Sequence, residues 1–384
     1  MDQPIYLDHN ATTPIHPEVR EAMLPWLGEL WGNPSSAHAY GRRAAEAVAH
    51  ARMQVAQLIG AQADEIIFTS GGTEADNLAL LGTGPFLNGR LLTSTVEHPA
   101  VALARAVLTH ERDWFFSELP VTQNGAVLVK RAGSRLADPA PHPVDLVSLI
   151  LAQNETGVIQ PVSEITAITR RFCKSALVHS DAAQAVGKIP VNVQEIGVDL
   201  LTIVSHKLYG PKGIGALYVR QGVALPRPLR VGGGQEREVC PGTQPVALIV
   251  GFGQAAEVAA RDLEAEGERL ATLRDELAGR LLEAIPGSVW TGQQASLLPN
   301  TLHIRLPNCQ GADVLAHAPQ IAASTGSACH AGTSGTASGV LGAMGLRADE
   351  CRGSLRLSLG RLTRDYHIGA ITRALVPAWQ QVAT

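Results

Sequence analysis

A lysine that follows a predicted strand is the first residue in the sequence that could do covalent chemistry. In the stretch IVSHKLYGPKGIG, a β-branched run ends at Ser205 and His206, and Lys207 sits where the chain turns into Gly-Pro. Lysines are usually exposed, so a solvated loop charge is the common use of such a residue. The other use is an amine that bonds to a carbonyl group, which requires burial or nearby positive charge to remove its proton.

A glycine-rich stretch and an aspartate follow two other predicted strands. In TSGGTEADN, Gly72 and Thr73 open a helix whose free N–H groups and hydroxyl suit a phosphate, although Gly-Gly-Thr is also a common turn and helix cap. In VHSDAAQAVGK, Asp181 ends a strand and Gln184 lies one helical turn later. The aspartate is either a helix cap or the carboxylate that keeps a heterocyclic nitrogen protonated.

The order of these groups favours a specific cofactor. Pyridoxal 5′-phosphate requires an anchored phosphate, a carboxylate against its pyridine nitrogen and a lysine bonded to its aldehyde. The chain offers all three, each at the end of a predicted strand. His98, in TSTVEHPAV, adds a flat ring that could stack on the pyridine, although a lone histidine is more often a core or helix-start residue. We therefore expect a pyridoxal phosphate site and no metal site.

An arginine near the C terminus suits a carboxylate ligand. In SLRLSLGR, Leu355, Leu357 and Leu359 alternate with Arg356, so strand periodicity puts the guanidinium on the face opposite the leucines. There it could hold a carboxylate through two parallel hydrogen bonds. An arginine on a solvated strand face is the alternative.

The elements that must position these residues indicate an α/β architecture. Short apolar runs alternate with longer amphipathic stretches from Asp64 onward, and open α/β sheets bind ligands at the carboxyl ends of their strands. The runs predicted as strands are EIIFTS, RLLTST, DLVSLILAQ, ALVHSD, DLLTIVS and IGALYVR. Helices are predicted between them, among them HPAVALARAVLTHE and PVSEITAITRRFCK.

The character of the sequence changes after about Val250. A long amphipathic pattern rich in Ala, Leu, Glu and Arg begins there, and NTLHIRL, QIAAST and SLRLSLGR follow as strands of a smaller α/β unit. We predict a large cofactor-binding domain over residues 16–250 and a small domain over 1–15 and 251–384. The Gly-, Ser- and Thr-rich stretch 323–339 is predicted to be a mobile surface loop.

The bulk composition favours small-molecule chemistry. With 31 basic and 35 acidic residues, the net charge of −4 offers no general attraction to nucleic acid or to an anionic membrane. The first residues lack the pattern of a signal peptide, and the apolar runs are too short to span a bilayer. Five scattered cysteines without a CxxC pair favour neither a disulfide framework nor a structural zinc site. We expect a cytoplasmic protein.

Across nearly its whole length the chain resembles the group of cysteine desulfurases and selenocysteine lyases, which are fold-type I, class V aminotransferase-like enzymes. The matching stretches are YLDHNATTP, WGNPSSAHAYGR, IIFTSGGTEADNLAL, EHPAV, LAQNETGVIQPV, HSDAAQAVGK, LTIVSHKLYGPKGIGALYVR, GGGQE, GSACHAG and LRLSLGR. The resemblance implies a large domain with a mostly parallel seven-stranded sheet flanked by helices, a smaller α/β C-terminal domain, and a homodimer.

The resemblance also implies a role for each matching residue. Lys207 would bond to the cofactor, Asp181 would bind its pyridine nitrogen, and His98 would stack on its ring and could relay protons. The phosphate would be held by Gly72, Thr73, Ser205, His206 and, from the second subunit, Thr243. The phenolic oxygen would contact Asn154 and Gln184, and the substrate carboxylate would be held by Asn33 and Arg356.

Cys329, in GSACHAG, would decide the reaction. In the group that the chain resembles, the cysteine at this position attacks the sulfur or selenium of the substrate as a thiolate, and a charged His330 beside it could lower its pKa. The alternative is a small hydrophobic residue on a loop. We interpret Cys173, Cys309 and Cys351 as structural.

One position departs from the family pattern. Cys240 precedes Pro-Gly-Thr at a place where members commonly carry an arginine, and Arg237 nearby could substitute for it. This second cysteine could also be labelled in experiments aimed at Cys329.

The leading hypothesis is a homodimeric pyridoxal phosphate enzyme that takes sulfur from L-cysteine, leaves L-alanine and carries the sulfur on Cys329 as a persulfide for an acceptor protein. A selenocysteine lyase is the alternative. A sulfur-relay scaffold without turnover is a third hypothesis, against which the intact lysine, aspartate and arginine argue. An ordinary transaminase would not need the loop cysteine.

Overall fold

The computed structural model describes residues 3–138, 141–326 and 339–383. Its strands, in chain order, are β1 (Ile5–Tyr6), β2 (Ile66–Thr69), β3 (Arg90–Ser94), β4 (Phe115–Leu119), β5 (Leu146–Ile150), β6 (Leu177–Asp181), β7 (Leu200–Val204), β8 (Gly215–Val219), β9 (Val289–Trp290), β10 (Thr301–Arg305), β11 (Ile321–Ala322) and β12 (Ser354–Ser358).

The helices alternate with the strands through most of the chain. They are α1 (Pro17–Met23), α2 (Ala39–Leu58), α3 (Gly72–Leu81), α4 (Pro99–Glu111), α5 (Val129–Ala137), α6 (Val162–Phe172), α7 (Val193–Ile196), α8 (Val246–Ala284), α9 (Gly311–Ala316), α10 (Gly339–Ala343), α11 (Ala348–Cys351) and α12 (Asp365–Val382). Short 3-10 turns lie at Leu24–Leu27, Ala63–Glu65, Ser205–Lys207 and Gln235–Glu238.

The central sheet has seven strands in the order β2-β8-β7-β6-β5-β3-β4. Strand β8 is antiparallel to both of its neighbours, and the other pairings are parallel. The mostly parallel, seven-stranded sheet implied by the family resemblance is thus confirmed. Residues of β2, β3, β5, β7 and β8 are buried throughout, as expected for strands covered by helices on both faces.

All six stretches predicted as strands of this sheet form strands, but β4 was missed. It lies at the edge of the sheet, where Phe115 and Phe116 each remain 46% exposed. An edge strand is covered less completely, so its sequence lacks both a continuous buried run and a regular alternation.

A second hydrophobic core lies around a smaller antiparallel sheet with the order β12-β10-β9. Leu355, Leu357 and Leu359 point into this core, whereas Arg356 lies on the other face of β12, as the alternation predicted. The two-residue strands β1 and β11 pair in parallel beside it.

The long helix α8 contributes to both cores. Ile249, Phe252 and Ala255 pack in the core of the central sheet, and Leu270 and Leu277 pack in the second core. These two clusters support the division into a large domain (16–250) and a small one (1–15 and 251–384), which stays a prediction.

None of the helices in the described ranges combines the length and apolar character needed to cross a bilayer. Most of the predicted loop, residues 327–338, lies outside the described residues.

Candidate active site

Lys207 lies in the 3-10 turn that follows β7, and the N-terminal segment of the chain passes over it. Its Nζ donates hydrogen bonds to the carbonyl oxygens of Asn10, at 2.5 Å, and Ala11, at 2.8 Å. Thr13 fixes this segment, because its N–H and hydroxyl both donate to the carbonyl oxygen of His206. The lysine side chain is therefore partly buried and fixed by hydrogen bonds, and it is not a solvated loop charge.

Asp181 ends β6 and is 3% exposed. Its Oδ1 accepts a hydrogen bond from the N–H of Ala183 at 2.9 Å, so it does cap the following turn. Burial raises the pKa of Asp181, while the charges of His98 and Lys207 and the Ala183 N–H act in the opposite direction. The capping role and a role toward a cofactor nitrogen are thus compatible, since one carboxylate has two oxygens.

His98 is the N-cap of α4, and its Nδ1 accepts from the N–H of Ala100 at 3.2 Å. The pKa of His98 is lowered overall, chiefly by burial. The charge of Asp181 acts in the opposite direction, and the charge of Lys207 lowers the pKa further. A histidine whose Nδ1 accepts can carry its proton on Nε2. Ligand atoms of His98, Asp181 and Asp76 all lie within 4.8 Å of one another, which puts the ring beside the aspartate predicted to bind the pyridine.

Two further acids lie in this cluster. Asp76, on α3, is 2% exposed and lies 3.6 Å from Nε2 of His179. Burial raises the pKa of Asp76 well above its usual range, and the nearby charge of Asp181 adds to the effect. Burial raises the pKa of Glu97 to about 8. Both acids hold their protons more tightly than exposed carboxyls do.

The predicted phosphate-binding residues lie at the N-terminus of α3 and in the turn after β7. Gly71 has a φ of 147°, and a Cβ on Gly72 would lie 2.6 Å from Cγ2 of Val204, so this approach of α3 to β7 requires glycine. Thr73 is exposed at the helix start. The Oγ of Ser205 is buried and has no hydrogen-bond partner in the described part of the chain.

His206 lies next to Ser205 on the basic side of the site. Its Nδ1 lies 3.1 Å from the hydroxyl of Thr12. Burial lowers the pKa of His206 to about 4, helped by the charges of Lys207, Lys212 and Lys188, so the ring is neutral at pH 7.

Asn154 and Gln184 approach Lys207 through Asn10. The Nε2 of Gln184 donates to the Asn10 carbonyl oxygen at 2.9 Å, and the Nδ2 of Asn10 donates to the Asn154 carbonyl oxygen at 3.3 Å. Both residues therefore share a hydrogen-bond network with the lysine.

Arg356 is 3% exposed, which rules out a solvated strand face. Its Nη2 donates to Oδ1 of Asp8 at 2.7 Å, and its Nη1 donates to the Asn154 carbonyl oxygen at 3.1 Å. The guanidinium thus lies close to the segment that covers Lys207, and it is already paired with a carboxylate.

Three predicted site residues are not joined to this cluster. Asn33 is exposed and its Oδ1 accepts from the N–H of Ser35; within the described ranges no hydrogen bond links it to Arg356. Thr243 is exposed on the loop before α8. Cys329 and its neighbour His330 lie outside the described residues. The roles of all three stay predictions.

The cysteines that are described have environments unlike that of a reactive thiolate. Burial raises the pKa of Cys240 to about 12, with the charges of Glu74 and Glu236 adding to the effect. Burial also raises the pKa of Cys309 and Cys351. Cys173 is buried, and its thiol donates to the carbonyl oxygen of Leu136. These observations fit the structural interpretation of Cys173, Cys309 and Cys351.

Arg237, the proposed substitute for the missing family arginine, lies beside Arg52 and Glu236 in a left-handed backbone conformation with φ 57°. No described contact connects it with Lys207 or Arg356.

Sequence reasoning missed several residues of the site, namely Asp8, Asn10, Asp76, Glu97 and Lys188. Asn10 is a hub of hydrogen bonds and is 1% exposed. Asp8 and Asn10 stand in the polar run DHNATTP after a short strand, which could have marked them. Their proximity to Lys207 and Arg356 is a product of the tertiary fold, which no local pattern contains.

Comparison with known proteins agrees with this geometry. A family model described as aminotransferase class-V matches residues 5–368. A cysteine desulfurase IscS from Dictyoglomus turgidum is 40% identical over 368 residues, which cover 94% of this chain and 91% of that protein. A selenocysteine lyase from Bos taurus is 40% identical over 410 residues, which cover 97% and 93%.

The fold is also found among solved structures. A structure described as a NifS-like protein superimposes with a TM-score of 0.90 at 32% sequence identity, and the match covers 99% of this chain and 100% of that one. The chain belongs to the class-V aminotransferase family and shares its pyridoxal phosphate dependence and fold.

Proposed function

We propose that this protein is a cysteine desulfurase that converts L-cysteine to L-alanine and takes up the sulfur on Cys329. In the net reaction the Cys329 thiolate bonds to the substrate sulfur, the Cβ–S bond breaks, and the thiol proton of the substrate ends on Cβ. A persulfide and alanine result, and no external oxidant or reductant is needed. The observation that carries the proposal is the convergence of Lys207 and Arg356 on residues 8–11.

The residues present fit pyridoxal phosphate. The Ser205 hydroxyl is a buried polar group without a hydrogen-bond partner among the described residues, beside a helix N-terminus whose close packing requires Gly72. A phosphate would satisfy both the hydroxyl and the free N–H groups of α3. Asp181 has a carboxylate for a protonated ring nitrogen, and the charge of Lys207 is close enough to lower the pKa of that carboxylate.

When bound, pyridoxal phosphate supplies an electron sink that weakens the bonds at Cα and Cβ of the amino acid. The chain's own residues do the rest. Asp181 would keep a positive charge at the ring nitrogen, and Lys207 would hold the cofactor covalently and move a proton at its Nζ. Gln184 and Asn154 would bind the phenolic oxygen. His98, neutral at pH 7, would stack on the ring and can pass a proton through Nε2.

Arg356 and Asn33 would bind the substrate carboxylate. The guanidinium is fixed by Asp8 and by the Asn154 carbonyl oxygen, so it does not need to be ordered on binding. The substrate carboxylate would accept hydrogen bonds from Arg356 either together with Asp8 or in its place. This arrangement favours amino acids with a free α-carboxylate.

We further propose a homodimer in which Thr243 serves the phosphate site of the partner. Thr243 is exposed in the single chain, as such a role requires. Lys207→Ala and Thr243→Ala subunits can be mixed to test this. A mixed dimer would contain one site with both residues intact, so activity should return to as much as half of the wild-type value per dimer. Activity no higher than the sum of the two separate variants would contradict the shared site.

Selenocysteine lyase is the second candidate, because a selenocysteine lyase from Bos taurus matches as well as the cysteine desulfurases do. The test is a product assay with L-cysteine and with L-selenocysteine, for wild type and for Cys329→Ala. A cysteine desulfurase should lose alanine formation from cysteine in the variant and keep its bound cofactor. Full turnover of cysteine without Cys329 would overturn the assignment, and turnover of selenocysteine alone would favour the lyase.

The same chemistry indicates what kind of partner would accept the sulfur. A persulfide suits transfer to a thiol of an acceptor protein. We propose such an acceptor, and a cytoplasmic location in which these thiols stay reduced. Detection of label transfer from ³⁵S-loaded enzyme to a reduced protein thiol would test the acceptor step.

A further inference from the structure

Lys188 is a second lysine in the network around Lys207, and none of the roles described so far uses it. It follows β6 by seven residues, and its Nζ donates to Oε1 of Gln184 at 2.5 Å and to Oδ1 of Asn10 at 3.0 Å. A charged lysine head group donates hydrogen bonds and cannot accept them. In this structure both amides turn their oxygen atoms toward it.

The orientation of these two amides decides what they offer on their other sides. With Oε1 held by Lys188, Gln184 presents its NH₂ group, and one N–H goes to the Asn10 carbonyl oxygen at 2.9 Å. That same carbonyl oxygen accepts from Lys207 at 2.5 Å. The Nδ2 of Asn10 in turn donates to Thr301 at 2.8 Å. Each amide has one orientation in which all of these bonds are satisfied.

The bonds from Lys188 do not depend on its charge. Desolvation lowers the pKa of Lys188 well below its usual range, and the charges of Lys207 and Arg356 lower it further. A neutral amine still has two N–H groups, which is the number that Gln184 and Asn10 require. Lys188 can therefore donate a hydrogen bond to each of the two amide oxygens in either protonation state.

We propose that Lys188 is a positioning residue that fixes the Gln184 amide and the Asn10 segment, so that Gln184 faces the cofactor with its NH₂ group and Lys207 is held in place. The inference rests on the proposed role of Lys207 as the cofactor-binding lysine. It adds that an amide donor, not an amide oxygen, meets the phenolic oxygen of the cofactor.

A double-mutant cycle on apoprotein tests the proposal. Cofactor affinity is measured by titration with pyridoxal phosphate for wild type, Lys188→Met, Gln184→Met and the double variant. Lys188→Met should weaken binding about tenfold, the equivalent of about one net hydrogen bond. Because Lys188 acts partly through Gln184, the loss in the double variant should be smaller than the sum of the two single losses.

Two further variants separate positioning from general stability. Lys188→Arg keeps a donor-only head group at a position that lines a small cavity with Tyr209 and Leu263, so its affinity should stay within about threefold of wild type. Lys174→Met changes an exposed lysine and should alter nothing. Unchanged affinity in Lys188→Met, or losses that add in full in the double variant, would overturn the inference.

If Lys188→Met does not fold, Lys188→Arg takes its place in the cycle. If the loss of cofactor affinity in Lys188→Arg then adds in full to that of Gln184→Met, the inference is overturned. A loss of affinity below threefold in Lys188→Arg, or a loss that disappears in the Gln184→Met background, would support it. Borohydride trapping and peptide mapping on wild type are done in parallel. Absence of label on Lys207 would remove the proposed function, whereas label on Lys207 with an unaffected Lys188→Met would remove only the role of Lys188.

Discussion

The two ends of the candidate site carry opposite charges. At one end lie Asp76, Glu97 and Asp181, and the charge of Asp181 raises the pKa of both of the other acids. At the other end Lys207 and Arg356 lie near Lys188, whose pKa both of them lower. Each end thus drives some of its own members toward the neutral form, while Asp181 and Lys207 stabilise each other's charge across the site.

This separation of acidic and basic residues matches the distribution of charge on the expected ligands. Pyridoxal phosphate has a cationic ring nitrogen at one side and an anionic phosphate at the other, and an amino-acid substrate adds an anionic carboxylate. The acidic end would meet the ring nitrogen, and the basic end would meet the anions. The difference in charge between the two ends would therefore orient the cofactor, apart from any single hydrogen bond.

Removing Lys207 should have the largest effect on the basic end. In Lys207→Ala we expect no covalent attachment and a fall in turnover on the order of a thousandfold or more, because both the attachment and a proton-transfer group are lost. Borohydride reduction followed by peptide mapping and an alanine assay measure the two effects. Lys212→Ala, which removes an exposed lysine five residues away, is the control. Label on another lysine in wild type would contradict the prediction.

The acidic end is tested by Asp181→Asn. Asparagine keeps the bond to the Ala183 N–H but loses the negative charge, so the ring nitrogen should lose its stabilised proton. We expect turnover to fall on the order of a hundredfold, with covalent attachment to Lys207 retained. Absorbance of the bound cofactor and the alanine assay give the two readouts. Asp181→Glu keeps the charge and should recover part of the loss; equal losses in both variants would mean that geometry matters and charge does not.

Arg356→Gln should have a smaller effect that falls mainly on substrate binding. Loss of charge-assisted bonds to a carboxylate lowers kcat/KM by roughly 10- to 100-fold, mostly through a higher KM. Asp8 loses its partner at the same time, but it is partly exposed and can be solvated. Arg352→Gln, an exposed arginine on the same approach to β12, is the matched control. A fall in cofactor affinity with unchanged KM would place Arg356 at the phosphate instead.

Much of this charge separation could be predicted from the sequence, because its principal members follow predicted strands. Asp181 ends β6 and Lys207 lies in the turn after the parallel strand β7, and parallel strands bring their carboxyl ends to one edge. Arg356 could be oriented by the alternation of leucines around it. The cofactor type followed from Lys207, Asp181 and the glycine-rich helix start.

The rest depends on contacts between distant parts of the chain. Asn10 and Lys188 are 178 residues apart, yet they share a hydrogen bond. Glu97 stands next to His98 in the sequence, but its altered pKa comes from burial that no local pattern reveals. Asp8 was missed for a different reason. An arginine that binds a substrate carboxylate is expected to have a free guanidinium, so sequence reasoning did not look for an acid beside Arg356.

The smallest effect on activity is expected from Glu97→Gln, which tests the acidic end through stability. The pKa of Glu97 is raised from 4.5 to about 8, chiefly by burial. Between these two pH values the unfolded chain has lost the proton while the folded protein keeps it, so folding stability falls as the pH rises. Glutamine has no proton to keep, and activity at pH 7 should stay within about threefold.

The variant should therefore gain stability relative to wild type as the pH rises from 5 to 8, by at most about 1.4 kcal/mol per pH unit, and the difference should level off above pH 8. Denaturant unfolding at several pH values measures it, with Glu111→Gln, an exposed residue at the end of α4, the helix that begins just after Glu97, as control. A difference that does not change with pH would contradict the raised pKa. In an Asp181→Asn background the plateau should begin at lower pH, because the charge that helps to raise the pKa of Glu97 is gone.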